Sequence, residues 1–275
     1  KKEFDFYDAL NIISDKYNIS EYKKIGPKLI FYLEDIHVPE ISQENINKID
    51  FLERNFDISL VGLEMHVENP NSNVDKAIRD KANKYLEPSI GSIWSPPITA
   101  TATSIKSLEY GSYDNLFLDN RFCSIGLESE KFLFDGFLAA AVEGIYTMFL
   151  DGASQGYVPL SFNNKPVQQM YELLKIQEHF NKDKDFPIFD LKQIPTISGE
   201  AGDIRVLSQD GGMEELGKCM IKFKKWMAKN VLDPRTIVAA NKLMDCMKNE
   251  NHELAALIFG KAHSNYNKNY NILFF

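Results

Sequence analysis

The hydrophobic positions of this chain fall into short, nearly continuous apolar runs separated by longer stretches with helical spacing. The first run, "KLIFYL" (Lys28–Leu33), follows the turn signal Gly26-Pro27 and is apolar at almost every position, which predicts a strand buried on both faces of a parallel sheet. A helix is predicted next, opened by Ser42 as N-cap and carrying Ile46, Ile49, Leu52 and Phe56 on one face. A second strand at Ile58–Leu63 completes a βαβ unit. Val74, Ala77, Ile78, Ala82 and Leu86 place a helix over 71–86. Further strands are predicted at Phe122–Leu127 and Leu254–Phe259, with one more near an edge at Tyr270–Phe275. Further helices are predicted over 100–110, 131–150, 166–180 and 213–229, and from Asp233-Pro234, where Asp caps and Pro opens, to Lys248. Two segments break the pattern. Pro88–Pro97 is rich in Pro, Ser and Gly and long for a connection, as expected of a functional loop or lid. Ile188–Gly212 is Gly-rich and irregular, with short strands expected.

This alternation of strand and helix predicts an α/β fold: a central, mostly parallel sheet flanked by helices, with a helical middle section. The 275 residues contain no repeat and no low-complexity linker, so a single domain over 1–275 is expected, with 131–230 as a candidate cap over the site.

Composition adds mainly exclusions. The 31 basic and 39 acidic residues leave a net charge of -8 with no Lys/Arg block, which argues against a nucleic-acid partner. Cys123, Cys219 and Cys246 are scattered in apolar contexts, as core thiols are, and form neither a disulfide framework nor a zinc knuckle. No apolar run reaches the roughly 18 residues of a membrane span. Phe137–Leu150, broken by Glu143 and Gly144, reads as a buried helix. The chain starts Lys1-Lys2 rather than with Met, as expected where a leader or tag has been removed, and the compartment and oligomeric state stay open.

Chemistry concentrates where the apolar runs end. The first runs into Glu34-Asp35-Ile36-His37, the second into Glu64-Met65-His66, and the last into Gly260-Lys261-Ala262-His263. In open α/β sheets, ligands bind beyond the carboxyl ends of parallel strands. Glu34, His37, Glu64 and His263 are therefore expected to converge on one cleft, with Glu128, after the third strand, on its rim. His66 shares the face of Glu64 only if the strand continues that far, and is a secondary substrate-binding candidate. His252, in the polar turn "NENHEL", is expected to be solvated, and His179 to lie near a helix end where a cation is favourable. The glycines of "SGEAGD" and "DGG" do not join a strand to a helix in the phosphate-binding manner, and no Ser occupies a nucleophile elbow.

"YLEDIH" (Tyr32–His37), Gln43, "VGLE" (Val61–Glu64), "IGLES" (Ile125–Ser129) and "LIFGKAH" (Leu257–His263) together resemble the superfamily of erythromycin esterase-like, ChaN-like, TraB and Tiki proteins. Arg235, ahead of the last helix and strand, fits the same pattern, and with His66 and Glu128 it is a candidate for substrate binding. The resemblance runs in motif order from residue 28 to 264 and has no motif in 131–230. It implies one α/β domain with a site where the first and last motifs meet. In the esterase-like branch a Glu-x-x-His motif supplies the general base, which Glu34 and His37 match. The strand-end acid matches Glu64, and the late Gly-x-x-His matches Gly260 and His263. In the TraB and Tiki branch the same His positions are associated with metal-dependent peptidase activity, and in the ChaN-like branch the fold binds haem. Leu33 departs from the family, which often has Gly there.

Two catalytic versions follow for a hydrolase of ester or amide bonds in a small molecule or peptide. Without metal, His37 takes a proton from water, Glu34 or Glu64 orients it, and His263 polarises the carbonyl or protonates the leaving group. With metal, His37, Glu64 and His263 supply three ligands to zinc, manganese or iron and leave a position open for water. The alternative is a non-catalytic binder of haem or another planar ligand, its wall drawn from the 12% aromatic content and Trp94.

Overall fold

Asp5 starts the first helix by capping it, its Oδ1 accepting from the N–H of Tyr7 at 2.8 Å, and Phe6, Ala9 and Ile13 are the face that helix buries. The computed structural model that shows this describes residues 5–24, 28–36, 39–64, 66–69, 71–86, 113–154, 157–160, 176–180, 185–187, 189, 196–199, 202–208, 212–260 and 271–274. Along the chain they form α1 (Phe6–Ser14), β1 (Glu21–Lys23), β2 (Leu29–Asp35), α2 (Pro39–Phe56), β3 (Leu60–Leu63) and α3 (Asn73–Leu86). Next come a short helix α4 (113–118), β4 (Cys123–Gly126), α5 (Glu130–Ser154), β5 (Tyr157–Leu160) and a helical turn α6 (176–180). The chain continues through β6 (Thr196–Gly199), β7 (Gly202–Ser208), α7 (Met213–Met227), a π-helical turn (Ala228–Leu232), α8 (Asp233–Asn249), β8 (Leu254–Gly260) and β9 (Asn271–Phe274). The predicted helix over 100–110 and the loop at 88–97 lie outside the described residues.

The backbone divides into two compact units. The first joins Lys1–Ile78, Ile105–Leu133 and Leu232–Phe275 around a six-stranded sheet of order β1-β9-β2-β8-β3-β4. Every pair in it is parallel except β1 with β9. Mostly parallel strands flanked by helices make this an α/β fold, as the strand-helix alternation predicts. Alternate residues of the strands sort onto two faces. Leu29, Phe31, Leu33, Val61, Leu63, Ala256 and Ile258 pack with Phe6, Ile13, Ile49, Leu52, Tyr113 and Leu116, which belong to α1, α2 and α4. Ile30, Tyr32, Leu60, Ala255, Leu257 and Phe259 pack with Ala239, Ala240, Leu243 and Met247 of α8. Both faces are covered, so the strands read as unbroken apolar runs rather than alternating ones.

Three details differ from the sequence reading. The first helix after β2 begins at Pro39, a residue suited to the first helical turn, so Ser42 lies inside it, buried, and is not its cap. The last strand lies near an edge, as expected, but the edge itself is taken by the three-residue β1, too short and polar to register as a strand, with β9 between it and β2. Cys123 is exposed and Cys246 half-buried, so only Cys219 is a core thiol.

The second unit takes in Arg79–Ser104 and Phe134–Val231. It adds an antiparallel sheet of order β5-β7-β6, in which Gly-rich residues pair Gly199 with Gly202 and β5 pairs Tyr157 with Ser208. Phe180, Phe186, Phe223 and Trp226 stack edge-on or face-on at 4.7–6.1 Å between ring centres. His179, near the end of α6, donates from Nε2 to Asp135 Oδ1 at 2.9 Å. Within α5, Glu130–Asp151 is long and apolar enough to cross a membrane by length and composition, and 62% of its apolar window is buried, as in a core helix.

Candidate functional site

Strand parity decides which carboxylates share a face. Glu34 follows Tyr32 on the face covered by α8, and Glu64 follows Leu60 and Gly62 on the same face, whereas Asp35 points to the α2 and α4 side. Register sets their depth. Glu34 pairs with Phe259 and Asp35 with Gly260, while the Glu64 N–H donates to the carbonyl of Ile258 at 3.2 Å. Glu34 and Glu64 therefore flank β8 near its carboxyl end.

Arg235 arrives from α8, in its first turn. Its Nη2 donates to Glu64 Oε1 at 3.0 Å, and its Nε donates to Glu128 Oε1 and Oε2 at 3.1 and 3.2 Å. A further bond joins Arg235 Nη2 to Glu128. The side chains of Arg235, Glu64 and Glu128 are only 7%, 8% and 1% exposed. The second oxygen of Glu64 accepts from the N–H of Gly260, the last residue of β8. One guanidinium thus holds two buried carboxylates at the ends of β3 and β4, the geometry in which the planar fork of Arg outperforms Lys. The hydroxyl of Tyr32 donates to the Gly260 carbonyl at 2.9 Å, and burial pushes its pKa up, with the charges of Glu64, Glu34 and Asp35 acting in the same direction.

A second network fixes the segment after β3. Ser72 caps the start of α3 and is bonded to Asp75 in both directions: the Asp75 N–H donates to Ser72 Oγ at 3.0 Å and Ser72 Oγ donates to Asp75 Oδ2 at 2.9 Å. Asp75, fully buried, also accepts from the N–H groups of Val67 and Glu68 at 3.0 and 2.9 Å. His66, 1% exposed, has Nδ1 3.5 Å from Asp75 and Nε2 3.6 Å from Asp114, with its ring edge-on to Phe117. Burial alone would raise the Asp75 pKa, but the bonds from His66, Glu68, Ser72 and Val67 outweigh it and hold the carboxyl at about 2. The His66 carbonyl accepts from the N–H of Glu128 at 2.9 Å, so this loop and the Glu128 end of β4 are tied together. Lys242, seven residues and two turns beyond Arg235, donates to the carbonyls of Val67 and Glu128. Burial lowers its pKa, against the pull of Asp75, Glu128 and Glu68.

Of the residues expected from the sequence, Glu64, Glu128 and Arg235 are brought into one bonded group, and Glu34 lies across β8 from Glu64. His66 sits beside that group with its ring buried. His37 and His263 lie outside the described residues; they follow the paired strand ends Asp35 and Gly260 by two and three residues. Among the described residues, no three of His, Cys, Asp and Glu are arranged to hold a metal ion. Both Glu64 oxygens already accept hydrogen bonds, one from a cation, so a metal at Glu64 would have to compete with Arg235. Asp75, Lys242 and Tyr32 were not singled out from the sequence. The Ser72-x-x-Asp75 spacing was the one readable signal, and it marks a helix start rather than a site.

No protein-family model matches this sequence, and no curated protein matches it either. A solved structure of an erythromycin esterase mutant in its open conformation is similar to it at 14% identity and a TM-score of 0.31. That likeness covers 94% of this chain and 64% of the other, so the chain spans less than two thirds of the protein it matches. The α/β fold stands on the strand order and register described above, independently of this likeness.

Proposed function

We propose that this chain is a hydrolase of ester or amide bonds, working at the carboxyl ends of β2, β8 and β3 on a small molecule or peptide. The observation that carries the reading is the Glu64–Arg235–Glu128 group: three elements distant in sequence deliver two buried carboxylates and their shared cation to the adjacent ends of β3 and β4. Burying that many charges is costly unless geometry is good, and a fold does not need it for stability.

In this reading Glu64 is the fixed carboxylate. Arg235 and the Gly260 N–H hold its carboxylate in place, and in this role it orients an imidazole and so sets its tautomer. His37 is the general base toward water. His263 polarises the carbonyl or protonates the leaving group, and Glu34 is a second carboxylate for orienting His37. The metal-free version is favoured, because Arg235 already supplies the positive charge beside Glu64.

The test is an ester and peptide panel assayed with His37→Ala, His263→Ala and Glu64→Gln, each with and without added Mn²⁺ or Zn²⁺. Loss of a positioned base costs about 10²–10⁴ in rate, so each variant should fall by at least about 10². Activity unchanged in both His variants rejects the proposal, and activity that appears only with added metal rejects its metal-free form.

A further inference from the structure

At the opposite, amino end of the same sheet, Ser59, His252 and Glu250 form a chain of contacts. Ser59 Oγ is 3.4 Å from His252 Nδ1, and His252 Nε2 is 3.1 Å from Glu250 Oε2. A carboxylate oxygen accepts, so Glu250 draws the ring proton to Nε2 and leaves Nδ1 as an acceptor facing the serine hydroxyl. That is the tautomer a general base needs.

Both backbones are pinned. The N–H of His252 donates to Met247 O at 2.8 Å, and Lys28 Nζ donates to the carbonyls of His252 and Met247 at 3.1 and 3.0 Å. The Ser59 carbonyl accepts from the N–H of Cys123. Ser59 and His252 also line a cavity of about 860 Å³, within the size range of small-molecule sites, whereas Glu250 is not among its walls. The order cavity, serine, imidazole, carboxylate is that of a nucleophile, its base and the group that orients the base.

We propose that this cavity is a second, serine-dependent acyl-transfer site for esters that carry a positive charge. The first step forms a bond from Ser59 Oγ to the ester carbonyl carbon as the hydroxyl proton passes to His252 Nδ1. The carbon–oxygen bond to the alcohol then breaks, and the alcohol leaves with that proton. Water attacks the resulting acyl-serine, giving its proton to Nδ1. The acid departs as Ser59 Oγ recovers that proton. The guanidinium of Arg54, which lines the cavity, is the cation available to the developing oxyanion.

The walls set the charge of the substrate. Asp5, Asp8, Glu53, Asp57 and Glu253 line the cavity with Arg54. The carboxyl ends of α2 and α8 reach it through Asp57 and Asn251, which sit in the left-handed region at φ 55° and 56° and add the negative ends of two helix dipoles.

The experiment treats the full chain with a fluorophosphonate, which captures only an activated serine, and maps the adduct by peptide mass. The expected result is one adduct, on Ser59, absent in Ser59→Ala and formed at least tenfold more slowly in His252→Gln. Circular dichroism of both variants checks that they fold. No adduct on Ser59 overturns the proposal, and so does labelling at an equal rate in folded His252→Gln. Acetylthiocholine is then compared with its uncharged dimethylbutyl isostere, each as the turnover lost in Ser59→Ala. At low salt the cationic ester should show at least a tenfold higher kcat/KM, with the gap narrowing as salt is added. Equal values overturn the substrate class. Because the adduct is located on Ser59, the outcome is read separately from any activity of His37 and His263.

Discussion

Arg235 donates to two carboxylates at once, so its loss strands both of them in a buried setting. Arg235→Met is expected to lower stability by about 3–5 kcal/mol, read as a shift in the urea unfolding midpoint at neutral pH. Arg235→Lys keeps the charge but cannot fork between Glu64 and Glu128, so it should fall between Met and the parent. A loss below about 1 kcal/mol in Arg235→Met would mean the group behaves as a surface pair. Asp75 makes a prediction of opposite character. Its carboxyl is held at about 2 in the folded chain, against about 3.9 when unfolded. A depressed pKa stabilises the fold above the unfolded value and ceases to do so as pH falls through the folded one. The Asp75 contribution is therefore complete above about pH 5 and is lost between about pH 4 and 2. Asp75→Asn should be less stable at pH 7 and show a shallower loss of stability across that acid window, measured by thermal unfolding at stepped pH. These residues also show where sequence reading stops. Glu64 and Glu128 could be found because each directly follows an apolar run. The pairing with Arg235 could not be read from pattern, since it depends on which turn of α8 meets which strand end. Asp75 did not stand out, because a Ser-x-x-Asp spacing marks only a helix start and its hold on the Val67–Glu68 backbone uses the same carboxylate.

At the scale of elements, the strands that could be read are those buried on both faces, because burial writes itself as an unbroken apolar run. β2, β3, β4 and β8 all fall within or close to their predicted ranges. β1 escaped because three largely polar residues carry too little pattern, β5 because Pro159 stands inside its four residues, and the start of α2 shifted because Pro39 outranks Ser42 as an opener. The join between β4 and the loop after β3 rests on a glycine. A Cβ on Gly126 would lie 2.5 Å from the His66 carbonyl oxygen and 2.9 Å from that of Glu68, both backbone atoms that are themselves hydrogen-bonded. On Gly62 it would meet only the end of the Leu127 side chain, at 2.9 Å. Gly126→Ala is thus expected to cost about 1–3 kcal/mol and Gly62→Ala clearly less, because a leucine rotamer yields and a pinned loop does not. Comparing the two by chemical denaturation checks the order, and a larger loss for Gly62→Ala would refute it.

Across the whole molecule, the sheet is assembled from the two ends of the sequence. β2 is hydrogen-bonded to β8 on one side and β9 on the other, so the first buried strand finds both neighbours only after residue 254. A chain shortened after Glu253 should therefore lose cooperative unfolding altogether rather than merely soften, which near-ultraviolet circular dichroism would show. The same arrangement matters while the protein is being made. From the time β2 leaves the ribosome until more than two hundred further residues have followed, it carries two open edges, and the face that α8 covers stays bare almost as long. Synthesis of this chain thus imposes a long wait on its stickiest segment, and a chaperone that shields extended apolar strands would be engaged by Leu29–Leu33 throughout that interval.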